Sequence, residues 1–465
     1  MDYKKNILLS IFYLLVSLGS AQDNSITPKT DSVFIEQIII IGNNKTKEHI
    51  IIRELDLKSP SKICICDTAL IFKRNQNKIF NTGLFNFISL TYYDNVVLIS
   101  VEERWYIWPI PIFELSDRSF NEWWNDRGHD FNRVNYGIDF EYRNFRGRRE
   151  NLHIKLQHGF THKYEIFYTV PYLNSFLSNG LKFSLSYSTN RNIAYRTNPI
   201  SSKLDFSQVD FITRKRFYTG LSFTKRPKYY IQYGGDVYFN YNQVHDTITS
   251  LNPHFFSFNK KRQKYLEITL RAKQDKRDIQ YYPYHGHIVE LTISKKGLGI
   301  FNDLDFTRLH FAAAYYRNHK HKVIWENILK AQLTSPHNIP YYNHEGLGYG
   351  ENLVRGYELS VVDGNHYILA KESIKFKLLH RDKVKTFFPV KQFSSSPLSI
   401  FLHPHIDIAY VQNNNRFASA LSGQVLLGYG IGLDIIAFYD AVLRVEYSWG
   451  KNNIGGFYLH ADTAF

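Results

Sequence analysis

Cysteine, methionine and long apolar segments are scarce in this sequence. Its 465 residues include two cysteines and one methionine. Cys64 and Cys66 are too close in sequence to form a disulfide with each other that links distant parts of the chain. No nearby histidine or further cysteine would complete a metal or redox site. We therefore expect both to be small buried side chains. Beyond the N-terminal segment no run approaches about 18 apolar residues, which excludes transmembrane helices.

Catalytic and nucleic-acid-binding signals are missing as well. The sequence contains neither a G-x-S-x-G nucleophile elbow nor an H-E-x-x-H zinc helix. His403 and His405 alternate on one face of a predicted strand, which suits a hydrogen-bonded interior or interface position better than a metal site. The net charge of +15 is not gathered into one basic tract. We predict no enzymatic activity, cofactor, metal or nucleic-acid partner.

The N-terminus resembles an export signal. Lys4 and Lys5 precede the apolar segment 7–18, and Gly19-Ser20-Ala21 follows. A basic start, a short apolar run and small residues describe a secretory signal that is cleaved after Ala21. A membrane-anchoring helix is the alternative, but the segment is too short to cross about 30 Å of hydrocarbon. We expect residues 1–21 to be removed on export.

Residues 33–104 form a first unit with a mixed pattern. Residues 33–43 are predicted to form a strand, and residues 47–57 have helical spacing of their isoleucines and leucine. A second helix is predicted between Asp67 as its cap and Gly83, followed by two strands joined at an Asp-Asn turn. The order β-α-α-β-β predicts a compact α+β domain.

From Trp105 onward the pattern has the period of two that is typical of β-strands. Apolar and charged or hydroxyl residues alternate in segments such as 264–273, 287–294 and 441–449. The apolar face would be the core of a soluble sandwich, whereas in a membrane barrel it would contact lipid. Segment lengths of about 10 to 15 residues and aromatic residues at strand ends favour the barrel.

The aromatic content supports the same fold class. Aromatic residues make up 16% of the chain although the mean hydropathy is only −0.33, as expected when apolar side chains occupy alternate strand positions. We predict a mostly β protein, with a transmembrane antiparallel barrel of about sixteen strands over residues 105–465. The predicted sixth strand, 202–226, is overlong and open to being two pieces. The segment 116–132 is predicted to be a loop.

Several motifs resemble, in order, those of the BamA/TamA-type outer-membrane protein superfamily. The first unit resembles its periplasmic POTRA domain in Ile41-Gly42-Asn43, in Asn81-Thr82-Gly83-Leu84-Phe85 and in Val101-Glu102-Glu103. The second region resembles its barrel in a long loop, 336–364, that carries Val354-Arg355-Gly356-Tyr357. Further matching stretches are Asn144–Gly147, Asp275–Gly286, Gly428–Ile435 and a strand ending on Phe465.

The resemblance implies that the long loop folds back into the barrel. A desolvated guanidinium there needs an anion, and the family's arginine pairs with acidic residues on the inner wall. For Arg355, Asp407 is the best candidate. Glu372 is a second candidate, although Ser373 competes with it for the family's acidic position. Gly356 would permit the backbone bend that such a loop needs.

The resemblance also implies a seam between the first and last barrel strands. Pro109 and Pro111 cannot donate to a β-ladder and belong at a sheet edge, although they could instead mark the linker from the first unit. The seam would include Trp105, these prolines, and Phe457 and Phe465. An edge that opens is a template for an incoming strand.

The function implied is insertion of barrel proteins into the outer membrane of a Gram-negative cell, or passage of a polypeptide across it. The expected partners are outer-membrane lipids, client barrel or secreted polypeptides, and accessory periplasmic proteins or lipoproteins. The sequence has room for one POTRA-like domain, whereas the assembly protein itself carries several. A passive porin or adhesin barrel, or a structural subunit of a larger outer-membrane complex, is the alternative.

Overall fold

The structure is a computed structural model. It describes residues 32–462, apart from 116–130, 132–133, 174–177, 321, 337, 350–351, 414–418, 439–440 and 451–454. The predicted signal segment 1–21, Phe465 and most of the predicted loop 116–132 lie outside the described residues. No helix in the described ranges is long and apolar enough to cross a membrane.

The first unit has the predicted element order, except that the first predicted strand is divided into two and one strand is added between the helices. Its elements are β1 (Ser32–Ile35), β2 (Gln37–Ile41), α1 (Glu48–Ile52), β3 (Ser61–Cys64), α2 (Thr68–Phe80), β4 (Phe85–Tyr93) and β5 (Val96–Glu103). The predicted strand 33–43 is divided, because β1 pairs with β3 whereas β2 joins the three-stranded sheet β2-β5-β4. Apolar side chains of the helices and both sheets form one core that includes Ile35, Ile51, Ile79, Phe85 and Ile99.

The two cysteines form a disulfide with each other. Strand β3 ends at Cys64, and a tight 3-10 turn over Ile65–Asp67 brings Cys66 back beside it. Cys66 is exposed, and Cys64 is partly exposed. The prediction of two small buried side chains was therefore wrong. It considered only a disulfide between distant segments and not a disulfide across a single turn.

The second region is a sixteen-stranded antiparallel sheet in which each strand pairs with its neighbours along the chain. Its strands are β6 (Ile107–Leu115), β7 (Val134–Phe145), β8 (Glu150–Gly159), β9 (His162–Val170), β10 (Asn179–Asn190), β13 (Arg214–Lys228), β14 (Ile231–Val244), β15 (Arg262–Asp275), β16 (Gly286–Lys296), β17 (Phe306–His319), β18 (Val323–Ser335), β19 (His366–Lys385), β20 (Ser395–Gln412), β21 (Val425–Ala437), β22 (Ala441–Trp449) and β23 (Gly455–Asp462). The predicted fold class is confirmed.

Two short strands and a helix lie in the loops of this sheet. Strands β11 (Ala194–Thr197) and β12 (Leu204–Phe206) form a separate hairpin between β10 and β13, and α3 (Asp246–Leu251) follows β14. The overlong predicted strand 202–226 is therefore two pieces. It is interrupted because the first piece pairs with β11 and the second with β10 and β14.

Apolar and polar residues separate onto opposite faces of the large sheet. On β15, the Leu270 side chain is 58% exposed on the outer face, whereas its neighbour Thr269 is buried on the inner face. Thr269 Oγ1 lies 2.9 Å from Ser294 Oγ of β16, so polar groups pair across the inner face. An exposed apolar outer face and a hydrogen-bonded inner face match a wall that contacts lipid.

The sheet is curled, but its two ends are not joined. Tyr282, between β15 and β16, donates a 2.9 Å hydrogen bond to Asp434 on β21. At about 4.8 Å per strand, β16 and β21 would be about 24 Å apart in a flat sheet, so this contact requires strong curvature. Within the described residues no ladder connects β6 with β23, the first and last strands of the sheet.

The first unit packs against the strand-connecting turns at one end of the sheet. Asn81 exchanges hydrogen bonds with the β15–β16 turn, donating to Asp278 O and accepting from Gln280 N. Lys47 N donates to Gly147 O in the β7–β8 turn. A Cβ at Gly147, which has a φ of 71°, would lie 2.0 Å from Lys45 O, so this close approach requires glycine.

Glu54 forms a buried ionic contact between the two regions. Its carboxylate accepts hydrogen bonds of 2.9 and 2.7 Å from Arg226 on β13 and one of 3.1 Å from Tyr172. Burial alone would raise the pKa of Glu54, but the hydrogen bonds and charge of Arg226 outweigh it, and the net pKa is lowered from its ordinary value of 4.5. The contact therefore stabilises the docked arrangement most when Glu54 is ionised.

We expect acid to loosen this contact. A lowered pKa in the docked state means that the stabilisation is complete above Glu54's ordinary pKa and is lost as the pH falls through the docked-state value. Hydrogen–deuterium exchange should show lower amide protection factors around Glu54 in that acidic range, after correction for the slower chemical exchange in acid. Glu54→Gln should exchange faster already at neutral pH, by an amount that corresponds to about 2 kcal/mol. The exposed Glu48→Gln is the control, and equal exchange in both variants would contradict the assignment.

Candidate functional site

The long loop between β18 and β19 folds back against the inner face of the last strands. Leu347 and Val362 pair across it in an isolated β-bridge. A tight turn follows, in which Tyr357 N donates a 3.0 Å hydrogen bond to Val354 O. Val354 is 3% exposed. Its apolar cluster joins the loop to three strands and contains Leu347, Val362, Leu369, Ala409, Val411 and Leu426.

Burial of Val354 places the next residue, Arg355, among the inward side chains of β19, β20 and β22. Arg355 Nε lies 3.0 and 3.1 Å from the two carboxylate oxygens of Asp407, and the Arg355 backbone N–H donates to the same carboxylate at 2.9 Å. Asp407 is fully buried. Nη1 also donates to Ser373 Oγ at 3.1 Å and lies 3.5 Å from Glu446 Oε1. Charge-assisted hydrogen bonds therefore surround the guanidinium.

Glu372 is not an anionic partner of Arg355. Glu372 pairs with Ile406 in the β19–β20 ladder, and both side chains are exposed on the outer face. Ser373 faces inward instead, because neighbouring residues of a strand point to opposite sides. Only the backbone oxygen of Glu372 accepts from Arg355, at 3.3 Å. Of the two carboxylates predicted from the sequence, the structure brings only Asp407 to the arginine.

Glycines make room for the loop. A Cβ at Gly428 on β21 would lie 1.8 Å from the Arg355 carbonyl oxygen. Gly356 has a φ of 84°, and a Cβ there would lie 2.5 Å from Trp449 O. Gly450 faces Gly356 from the end of β22, where a Cβ would lie 2.4 Å from Gly356 O. Loop backbone and strand backbone thus touch directly, which only residues without side chains allow.

A second buried ionic cluster lies on the inner face of the same part of the sheet. Asp434 is fully buried and accepts from Arg444 Nε at 2.7 Å and from Tyr282. Lys375, also buried, lies 2.9 Å from Glu326 and 4.0 Å from Asp434. Acidic and basic groups alternate along the inner faces of β18, β19, β21 and β22, so each buried charge has a partner of opposite sign.

Two histidines lie between these clusters. His405 Nε2 is 3.0 Å from Ser448 Oγ, and His403 Nε2 is 3.3 Å from Asp434 Oδ1. Together with Glu446 they place three potential ligand atoms within 4.8 Å of one another. A divalent cation there would lie beside Arg355, whose guanidinium already interacts with Glu446. We therefore assign the histidines to the polar interior that supports the loop.

The predicted seam residues lie on or near the two free edges of the sheet. Pro109 and Pro111 of β6 pair with Phe140 and Ile138 of β7. On the last strand, Phe457 pairs with Tyr447 of β22 and is 79% exposed. Trp105 precedes β6, with its ring 6.3 Å from that of Phe393, and Phe465 lies outside the described residues. The structure does not bring the two edges together.

Sequence reasoning assigned no role to two buried carboxylates of the site. Glu446 is buried beside the loop and lies in no recognised motif, whereas Asp434 is buried in the supporting cluster and lies within the matching stretch 428–435. The alternation of inward positions on β19–β22 was the available signal. It identifies inward residues once the strand register is known, but it does not say which strands face the loop.

Asp407→Ala should release the loop. The substitution leaves Arg355 buried without its main anion, which costs about 3–5 kcal/mol. We expect a lower unfolding temperature in detergent and faster tryptic cleavage after Arg355. Glu372→Gln, which alters the other carboxylate predicted from the sequence, should leave both measurements unchanged. Unchanged unfolding and proteolysis in Asp407→Ala would show that the pair does not hold the loop.

Gly428→Ala tests the close backbone approach separately from charge. One added methyl group would collide with the Arg355 carbonyl oxygen, so the loop must shift or the strand must bend, at a cost of about 1–3 kcal/mol. Gly235→Ala on β14 is the control, because its Cβ would meet nothing closer than Leu270 Cδ2 at 3.7 Å. Equal unfolding temperatures for the two variants would contradict the packing described here.

Comparison with known proteins yields similarities in fold at low sequence identity. No curated protein sequence matches this chain. One similar solved structure is BamA from Haemophilus ducreyi lacking POTRA domains 1–3, with 13% identity, a TM-score of 0.48, and coverage of 92% of this chain and 83% of that one. Another is CdiB from Escherichia coli, with 10% identity, a TM-score of 0.49, and coverage of 99% and 95%. CdiB from Acinetobacter baumannii has 12% identity, a TM-score of 0.49, and coverage of 92% and 73%.

The family model gives the broader assignment. The Omp85 superfamily domain matches residues 144–465, which is well over half of the chain. The matched region begins just before β8 and contains the anchored loop and the last strand. The chain belongs to the Omp85 superfamily.

Proposed function

We propose that this protein inserts β-barrel proteins into the outer membrane by presenting the free edges of β6 and β23 to an incoming strand. The observation that carries the proposal is the sixteen-stranded sheet whose first and last strands, β6 and β23, have no ladder between them among the described residues. An open edge exposes a row of backbone donors and acceptors, and a client strand can satisfy them by β-augmentation. Membership of the Omp85 superfamily supports an insertion or translocation role.

The sequence of β6 favours a weak junction at this seam. Pro109 and Pro111 lie two residues apart and therefore direct their nitrogens to the same side of the strand. Both take part in the β6–β7 register, and proline is tolerated where its nitrogen faces away from the paired neighbour. The free side of β6 thus lacks two successive donors for a ladder with β23. A client strand that pairs elsewhere along the edge can compete with such a closure.

Two features argue against a passive porin. The part of the long loop around Val354 and Arg355 packs against the inner face of the sheet and is anchored by Arg355, and the first unit packs across several connecting turns. A passive porin needs an open, water-filled channel. We propose that residues 33–104 are a POTRA domain on the periplasmic side, where the sheet edge of β4 or β2 is available to a client or an accessory protein.

Passage of one secreted polypeptide is the second candidate function. It would use the same barrel wall, and membership of the Omp85 superfamily supports translocation as well as insertion. Depletion separates the two functions. Loss of an insertase reduces the amount of many outer-membrane barrels, whereas loss of a translocator leaves one protein in the periplasm.

Locking the seam should abolish insertion. Because β6 and β23 run in opposite directions, Pro111→Cys and Leu459→Cys place one thiol on each free edge near the middle of the seam. Once oxidised, this pair should stop the supply of new barrels in cells that depend on the variant. A reductant should restore the supply.

The control uses a pair of strands that are already joined. Ala272→Cys with Leu291→Cys links neighbouring residues on β15 and β16, so the wall is cross-linked while the seam stays free. This variant should remain active when oxidised. Full activity of the locked Pro111→Cys/Leu459→Cys variant, with the cross-link verified by mass, would rule out the seam mechanism.

A further inference from the structure

A second contact joins the long loop to the last strand of the sheet. Glu358 lies just after the turn that holds Arg355, and its carboxylate oxygen Oε2 is 3.1 Å from His460 Nε2 on β23. Glu446 on β22 completes the group, with its Oε2 atom 3.6 Å from the same imidazole nitrogen. Three potential ligand atoms, one from the loop and one from each of the last two strands, lie within 4.8 Å of one another.

The group lies on the inner face of the sheet and is largely removed from water. Phe457 and Leu459 of β23 are exposed on the outer face, so the next residue, His460, points inward. The side chains of Glu446 and Glu358 are only 1% and 9% exposed. The His460 side chain is 26% exposed, which leaves an approach to the group from solvent.

Glu358 carries a buried oxygen atom that nothing in its surroundings satisfies. Its Oε1 atom forms no hydrogen bond within the described residues. The nearby carboxylates of Asp407 and Asp434 have arginine partners at hydrogen-bond distance, namely Arg355 and Arg444. Glu358 has no arginine or lysine at ion-pair distance in the described part of the chain. A desolvated carboxylate without such a partner is costly, and coordination of a metal ion is one way to satisfy it.

The two oxygens of Glu446 have different neighbours. Oε1 lies 3.5 Å from Arg355 Nη1 and 3.7 Å from His405 Nδ1. Oε2 is the atom that approaches His460. A cation bound through Oε2 would therefore use the oxygen that the guanidinium does not contact. This distinguishes the group from the neighbouring set of His403 and His405, which approaches Oε1.

We propose that Glu358, Glu446 and His460 bind one Zn²⁺ ion. Zn–N and Zn–O bonds of about 2.0–2.1 Å place the ligand atoms of a tetrahedral site about 3.3 Å apart. The two distances from His460 Nε2, 3.1 and 3.6 Å, bracket that spacing. One imidazole and two carboxylates suit Zn²⁺, whereas Ca²⁺ and Mg²⁺ take oxygen ligands. A water molecule would complete the tetrahedron.

A bound ion would give the loop a second anchor. Arg355 attaches the loop to Asp407 of β20, and Glu358, three residues further on, would attach it to β22 and β23. The ion would thereby hold the last strand of the sheet against the loop. The site stands on its own ligands and does not depend on the proposed insertion function, because a barrel of either candidate function could carry it.

Metal binding by the whole mature chain, purified in detergent and stripped with a chelator, tests the proposal. We expect titration calorimetry to show one Zn²⁺ per chain, undisturbed by an excess of Ca²⁺ or Mg²⁺. Co²⁺ in place of Zn²⁺ should give the visible absorption of a tetrahedral site. Zinc should also raise the unfolding temperature, because the three ligands come together only in the folded chain.

Removal of single ligands identifies the site. Glu358→Gln and His460→Ala should each lower the affinity for Zn²⁺ by about 100-fold or more, since loss of even an outer-shell partner costs about 10–100-fold. Their unfolding temperatures should no longer respond to zinc at the concentration that saturates the unmodified protein. His405→Gln is the matched control, because it removes a ligand of the neighbouring set and leaves the proposed ligands in place. It should bind zinc as the unmodified protein does, and heat-modifiable migration on gels verifies that each variant is folded.

Four results would overturn the proposal. Folded, unmodified protein that takes up no Zn²⁺ would show that His460 acts instead as a cation paired with the two carboxylates. Unchanged affinity in both Glu358→Gln and His460→Ala would place the ion elsewhere, and loss of binding in His405→Gln alone would place it in the neighbouring set. Displacement of the ion by Ca²⁺ would show a site of oxygen ligands without the histidine. None of these results bears on the seam, which the locked variant tests separately.

Discussion

The pairing of Arg355 with Asp407 is the constraint on which the interior of this protein depends. A guanidinium removed from water needs an anion at hydrogen-bond distance, and Asp407 supplies two oxygens and also accepts the arginine's own backbone N–H. This requirement brings the loop to β20. Once it is there, Val354 must be buried, and Gly356, Gly428 and Gly450 must lack side chains. One ionic contact thereby imposes conditions on four separate segments.

The anchored loop and the free edges lie in different parts of the sheet. The loop binds to β19–β22 and buries charges that have partners on the same strands, so the C-terminal part of the wall is cross-linked internally. Strand β6 has no such contact with the loop among the described residues, and its other side is unpaired. In the proposed function, a rigid C-terminal wall would hold the β23 edge in place while β6 moves away from it.

Secondary structure was predictable because the period of two is local. Alternation over 264–273 or 441–449 needs no knowledge of distant residues, and the observed strands β15 and β22 coincide with it closely. The errors arose where pairing partners determine the outcome. Residues 33–43 are divided between two sheets, residues 202–226 pair with two different strand sets, and Cys64 meets Cys66 across a turn.

The sequence by itself determined the alternating strands, the α+β unit before them and the motif that contains Arg355, because periodicity and short motifs are properties of neighbouring residues. Only the tertiary structure decided that Asp407 and not Glu372 receives the arginine, since a shift of one residue in register exchanges the inner and outer faces. It also decided that Glu446 and Gly428 belong to the site. Their roles depend on which strands the curled sheet brings around the loop, and that closeness is not encoded by any local pattern.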